Sequence, residues 1–262
     1  METIPKLIHY CWFGGNPIPD ALRRCMDSWK LLEDAGYRII RWDESNCSFD
    51  ENAFVRRCYR EKKWAFVSDF YRAKALHEWG GIYLDTDVAV RRPFDAFLND
   101  SAFIGFSCGC ALSTAVIGAQ KGSPFIKGIL DMYETQRFYT EQSFRTGETY
   151  PAYADGSWIP NNEFVTWYVI CTHPDFALNN RKQALADVTV YPKTYFELGS
   201  LTGKYYCRHI NYNSWIDRDN QTSALKKLKH TLEKNTCAWI LIRSLMSRRG
   251  ERRTSFYPYR ER

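Results

Sequence analysis

Apolar and polar positions along this chain fall into blocks whose period switches between two and about 3.6. "KLIHYCWF" and "YRIIRW" are short apolar-rich runs bounded by Gly, Pro or Asp, and predict strands. Between them, "PDALRRCMDSWKLLEDAG" places Leu22, Cys25, Met26, Trp29 and Leu32 at helical spacing and closes on Gly36, a plausible helix C-cap. A second helical stretch, "NAFVRRCYREKKWAFVSDFYRAKALHEWGG", runs through or breaks once before stopping at Gly80 and Gly81. The strand "GIYLDTDVAV" follows at once. "AFIGF" and "ALSTAVIGA" predict short strands, and "SPFIKGILDMYETQRFY" a helix with Pro124 in its first turn. Residues 140–160 read as a long surface loop, and "NNEFVTWYVIC" fits a helix or a buried strand. "DVTVYP" and "KYYCRHI" are late strands. Strands alternating with helices predict an α/β fold, with a mostly parallel central sheet flanked by helices.

One strand breaks its own pattern. Ile82, Tyr83, Leu84, Val88 and Val90 suit a core, yet Asp85 and Asp87 interrupt them. Carboxylates in an apolar run are costly unless compensated. Alternation puts Tyr83, Asp85 and Asp87 on one face, where two neighbouring carboxylates repel and a divalent cation is the simplest remedy. Mg²⁺ or Mn²⁺ fits, since hard cations take oxygen ligands and commonly share carboxylates with substrate phosphates. The alternative is a strand that ends early and leaves both aspartates solvated in a loop. Asp217 and Asp219 repeat the spacing in the polar stretch "SWIDRDNQ", where it needs no explanation. Upstream, Asp69 and Arg72 stand three apart on one helical face, either as a surface ion pair or as part of the same site. In sheets of this kind ligands gather at the carboxyl ends of strands, which is where the Asp pair falls.

Composition narrows the class. The 262 residues are 45% hydrophobic and 16% aromatic, enough to build a core and to exclude wholesale disorder. No apolar run is long enough for a transmembrane helix, and the first residues do not read as a secretory signal. Nine scattered cysteines suit reduced, buried thiols and a cytosolic compartment. The net charge of +6 is uneven: residues 218–262 hold twelve Lys/Arg against four Asp/Glu. Residues 1–217 are therefore expected to form one near-neutral domain and residues 218–262 a basic helical tail. The stretch with Leu225, Leu228 and Leu232 on one face suits an anionic membrane surface, or equally a terminal helix with a solvated basic face. Nucleic acid is not expected, because aromatic residues are not interleaved with the charges.

Three blocks, "IPKLIHYCWFGG", "AFVSDFYRAKALHEWGGIYLDTDV" and "HINYNSW", resemble bacterial glycosyltransferase family 32 over roughly residues 4–215. That family is distantly similar to yeast initiating mannosyltransferases and to the clostridial glucosylating toxins. The resemblance implies a GT-A fold, a UDP- or GDP-linked sugar donor, Mn²⁺ or Mg²⁺, and transfer with retention to a saccharide or lipid-linked acceptor in surface polysaccharide synthesis. By position it assigns Asp85 and Asp87 to the cation, and Asp69 and Arg72 to the donor sugar's hydroxyls as catalytic residues. Trp12 would stack on the base, Tyr83 and Ser68 would help form the donor pocket, and His209, Ser214 and Trp215 would cover the diphosphate. His209 would also complete the metal shell, although an imidazole in "YYCRHINY" is equally a packed side chain. His9 alternates into its strand and is structural. The reduced cysteines lead to an expected cytoplasmic location, and the basic tail, if it meets the membrane and does not pack on the domain, to a peripheral one on the inner face. The competing classes are a nucleotidyltransferase, disfavoured by the lack of a Gly-rich loop with Lys after the first strand, and a non-catalytic nucleotide-sugar-binding module.

Overall fold

The computed structural model describes residues 2–108, 111–151, 160–202, 204–211, 240, 245 and 256–259. The first half runs β1 (Leu7–Cys11), α1 (Asp20–Asp27), α2 (Lys30–Asp34), β2 (Arg38–Trp42), α3 (Ala53–Arg60), α4 (Trp64–Trp79), β3 (Gly81–Leu84) and β4 (Val88–Val90). The second continues through β5 (Ala102–Cys108), β6 (Ala111–Ala119), α5 (Pro124–Thr135), β7 (Arg137–Phe138), α6 (Glu141–Thr146), β8 (Tyr150–Pro151) and α7 (Asn161–Thr172). It closes with β9 (Gln183–Ala184), β10 (Thr189–Tyr191), α8 (Lys193–Phe196) and β11 (Cys207–His209).

Seven strands form the central sheet in the order β2-β1-β3-β6-β5-β10-β9. From the pairings, β1, β2, β3, β5 and β10 run one way, while β6 and β9 run against them. The sheet is thus mostly parallel and flanked by helices, as the alternation predicts. Strand alternation also divides the core. Ile82 and Leu84 of β3 pack with Trp29, Phe94, Phe103 and Phe196 on one face. Tyr83 packs on the other with Phe70, Tyr71, Ile104 and Ile117, where α4, α5 and α7 lie. Each such fully buried side chain contributes roughly 1.5–3 kcal/mol relative to exposure.

Several elements differ from expectation. The first helical stretch divides at Ser28–Trp29, and the second breaks once, between α3 and α4. "NNEFVTWYVIC" is a helix, α7. The expected loop at 140–160 contains α6, which starts with a capping box between Thr140 and Ser143, and β8. Ser and Thr side chains at that spacing satisfy otherwise unpaired N–H groups, a local signal that carries no apolar period. The strand after Gly80 does not run on to Val90. β3 stops at Leu84, Asp85–Asp87 turn, and β4 leaves the sheet to pair antiparallel with β11. His209 is opposite Val88 in that small sheet.

The junction between α4 and β3 depends on Gly81. Its φ is +110°, and a Cβ there would come 2.7 Å from the Leu7 carbonyl oxygen. Only glycine lets β3 approach β1 this closely. His9 fills the same junction, fully buried, with Nε2 2.8 Å from the Gly80 carbonyl and Nδ1 accepting from Trp42 Nε1 at 3.1 Å. It is structural, and burial lowers its pKa to about 4.

Among the described residues Cys11, Cys25, Cys47, Cys58, Cys171 and Cys207 are free thiols, and no helix is long and apolar enough to cross a membrane. Of the basic tail, Phe256 is buried 5.0 Å from the Trp167 ring, and Tyr259 lies 5.1 Å from Phe144. Leu225, Leu228 and Leu232, with the second Asp pair at 217 and 219, lie outside the described residues.

Candidate functional site

Asp85 and Asp87 occupy the turn at the carboxyl end of β3. The Val88 N–H closes that turn on the Asp85 carbonyl at 3.0 Å, and the Asp85 N–H donates to Ala115 of β6 at 2.9 Å. The strand does end early, yet the aspartates are only partly solvated: their side chains are 30% and 12% exposed. A turn, rather than the pleat of one strand, brings the two carboxylates together. His209 joins them from β11, held in place by the Ile210 N–H, which donates to the Asp87 carbonyl at 3.1 Å. One ligand atom from each of Asp85, Asp87 and His209 lies within 4.8 Å of the others.

Arg72 and Asp69 reach this turn from α4. That helix buries residues on most of its surface, including Val67, Phe70, Tyr71, Ala73, Ala75 and Leu76. Asp69 and Arg72 are therefore charges inside a core helix, a far stronger signal than their spacing alone. Arg72 Nη2 is 2.9 Å from Asp85 Oδ1 and 3.2 Å from Asp69 Oδ1, and Nη1 donates to the Thr114 carbonyl at 2.7 Å. Its guanidinium lies 4.3 Å above the Tyr83 ring. Tyr83 itself is 2% exposed, so it supports Arg72 from below and does not line an open donor pocket.

Asn161, at the start of α7, was not anticipated. Its Nδ2 donates to Asp69 Oδ1 at 3.0 Å. Next to it, Asn162 Oδ1 accepts from the Thr114 N–H at 2.9 Å and its hydroxyl at 2.7 Å. The paired Asn at a helix start is the one sequence cue, and it is indistinguishable there from ordinary capping chemistry. Arg72, Asp69 and Asn161 also border a cavity of about 10 Å³, room for one water molecule.

Ser68 is half-buried and donates its hydroxyl to the Trp64 carbonyl at 3.0 Å. Trp12 stands just beyond the carboxyl end of β1, half-buried, with its indole N–H donating to Asn16 at 2.7 Å. Pairing of His9 with Tyr83 places the ends of β1 and β3 side by side, so Trp12 and Asp85 share one edge of the sheet. The next turn is packed by Gly14, where a Cβ would lie 2.6 Å from Trp64 Nε1. Ser214 and Trp215 lie outside the described residues.

Burial pushes Asp69 up to about 6; Arg72 opposes the rise and Asp85 adds to it. Asp85 is likewise raised by burial, with Arg72 pulling it down and Asp87 pushing it up. For His209 burial favours the neutral ring, but Asp87 and Glu197 outweigh it and hold the pKa well above 6.5. Among the described residues, Asp85, Asp87 and His209 bring two carboxylates and one imidazole together, and with the ring neutral this oxygen and nitrogen ligand set suits a divalent cation.

Residues 19–104, which hold Asp69, Arg72, Asp85 and Asp87, match the family model described as "Glycosyltransferase sugar-binding region containing DXD motif". The chain is 32% identical over 132 residues to inositol phosphoceramide mannosyltransferase 3 of Schizosaccharomyces pombe, covering 47% of this chain and 35% of the relative. It is 26% identical over 167 residues to mannosyl phosphorylinositol ceramide synthase CSH1 of Saccharomyces cerevisiae, covering 60% of this chain and 43% of the relative. The chain thus spans well under half the length of these curated relatives. Among solved structures it is similar to the PaToxG glycosyltransferase, at 19% identity and a TM-score of 0.46, over 64% of this chain and 69% of that one.

Proposed function

We propose that this protein is a metal-dependent, retaining glycosyltransferase that moves a hexose from a nucleoside-diphosphate sugar to a saccharide acceptor in surface polysaccharide synthesis. The observation that carries the reading is the convergence of Asp85, Asp87 and His209 beside the Arg72–Asp69 pair at the carboxyl ends of β1 and β3. A divalent cation at those three ligands would supply Lewis-acid neutralisation of the charge that grows on a departing diphosphate.

The protein's own residues do the rest. Arg72 offers a fixed guanidinium at the anionic edge, and its stack on Tyr83 and bond to Thr114 mean that no reorganisation is needed as charge develops. Within the described residues both partners of Asp69 reach Oδ1, which leaves Oδ2 to accept from a sugar hydroxyl. Trp12 offers an aromatic face to the base from the neighbouring strand end. The sugar becomes oxocarbenium-like as the bond from its anomeric carbon to the phosphate oxygen breaks. With retention, the acceptor oxygen bonds to that carbon on the same face and its proton passes to the departing phosphate. No protein nucleophile is required, and a glycosyl adduct on a carboxylate, detected by mass spectrometry, would refute the route. Because its relatives in the two yeasts are named for mannosyl transfer, mannose is the first sugar to try.

The test is incubation with Mn²⁺ and a panel of UDP- and GDP-sugars. Slow release of free nucleoside diphosphate and sugar is expected. Release of pyrophosphate or nucleoside monophosphate would reassign the protein to another nucleotide-using class, and binding without turnover would make it a binding module.

A further inference from the structure

Glu197, immediately after α8, is 3% exposed and lies on the far side of His209 from the aspartates. It holds that histidine twice. Its Oε2 is 2.9 Å from His209 Nδ1, and its backbone carbonyl accepts from the His209 N–H at 3.0 Å. The carboxylate is itself fixed from two other directions. Ser113 of β6 donates to Oε2 at 3.1 Å, and Asn211 Nδ2 donates to Oε1 at 3.0 Å. The remaining ring nitrogen, Nε2, points at Asp87 Oδ1, 3.2 Å away.

A buried carboxylate is a poor choice for packing alone; Phe196 and Leu198 on either side fill space without its desolvation cost. An ionised carboxylate can only accept hydrogen bonds. Facing Nδ1, it therefore selects the tautomer that carries its proton there, and the lone pair of a neutral ring falls on Nε2. We propose that Glu197 is a positioning residue that fixes the Nδ1–H tautomer and the ring plane of His209, so that Nε2 is aimed at the cation held by Asp85 and Asp87. Ser113 and Asn211 keep Glu197 in the required rotamer. A carboxylate behind a ligating imidazole raises its basicity as well as its precision. The inference deepens the metal-site reading proposed above and rests on it.

The experiment is Mn²⁺ titration of the full chain followed by EPR, with pulsed EPR of the bound ion to detect a directly ligated ¹⁴N nucleus. Wild-type protein should bind Mn²⁺ with a ¹⁴N signature. Glu197→Gln should weaken binding about 10–100-fold and diminish that signature. Ser113→Ala should shift both in the same direction by less, and it decides the matter if Glu197→Gln does not fold. Wild-type affinity and an unchanged ¹⁴N signal in the folded variant would overturn the role of Glu197 and leave the metal site standing. A wild-type protein that fails to bind Mn²⁺ would overturn the metal reading, and this inference with it.

Discussion

Arg72 and Asp85 meet at 2.9 Å across the junction of a buried helix and the end of the strand that follows it. The same Arg72 nitrogen also serves Asp69, at 3.2 Å, so one cation balances two carboxylates from two elements. With its bond to Thr114 in β6, this side chain ties α4, β3 and β6 together below the cation ligands.

Arg72→Ala should therefore be destabilising as well as inactivating. Removing one partner from a buried ionic cluster typically costs about 3–5 kcal/mol, because the remaining charges stay buried without compensation. Urea denaturation of the metal-free protein is the measurement. Arg72→Lys should fall between, since it keeps the charge and loses the fork that reaches Asp85 and Thr114 together. A variant within about 1 kcal/mol of wild type, the range of surface ion pairs, would show that the cluster does not act as a unit.

Asp87→Ala should separate function from fold. The backbone contact of this turn with β11, from the Ile210 N–H to the Asp87 carbonyl, survives the substitution. Loss of a charged ligand is expected to remove Mn²⁺ binding and to reduce donor hydrolysis by roughly 100-fold or more, the equivalent of several kcal/mol. Circular dichroism should stay native. Full activity in this variant would overturn the assignment of the site.

The pH dependence of the metal-free protein follows from His209. Asp87 and Glu197 hold its pKa well above 6.5 against the effect of burial, so the folded state keeps a proton that the unfolded chain releases near 6.5. The stabilisation is fully present below that pH and is lost as pH rises through the folded value. The difference in melting temperature between wild type and His209→Asn should accordingly shrink from pH 6 towards pH 9, checked by thermal scans in chelator. A difference that is flat or grows with pH would contradict the two-carboxylate setting.

Gly81→Ala tests how the site is delivered. The new methyl group would meet the Leu7 carbonyl oxygen at 2.7 Å and His9 Nε2 at 2.9 Å, at a φ of +110°. Strain and lost pairing between β1 and β3 should cost more than about 1 kcal/mol and misplace Asp85 relative to Trp12. Unchanged stability, together with unchanged Mn²⁺ affinity, would show that the junction tolerates more than its geometry suggests.

What the chain determines by local means is legible in its sequence. Period and punctuation place β1, β2, α4 and β5, and the Gly pair marks where α4 hands over to β3. Asp85 and Asp87 stand out because carboxylates in an apolar run demand a cause. Other features lie beyond local reach. β3 stops at Leu84 because β4 finds its partner in β11, more than a hundred residues later, and apolar alternation is the same on either side of that turn. Asp69 and Arg72 become remarkable only through the packing of α4, which buries a face that spacing alone would leave in water. Asn161 and Glu197 carry no motif at all. Their roles arise when α7 and α8 dock beside Asp69 and His209, since a side chain's partner is set by where distant backbone passes, and that is decided by the packed sheet as a whole.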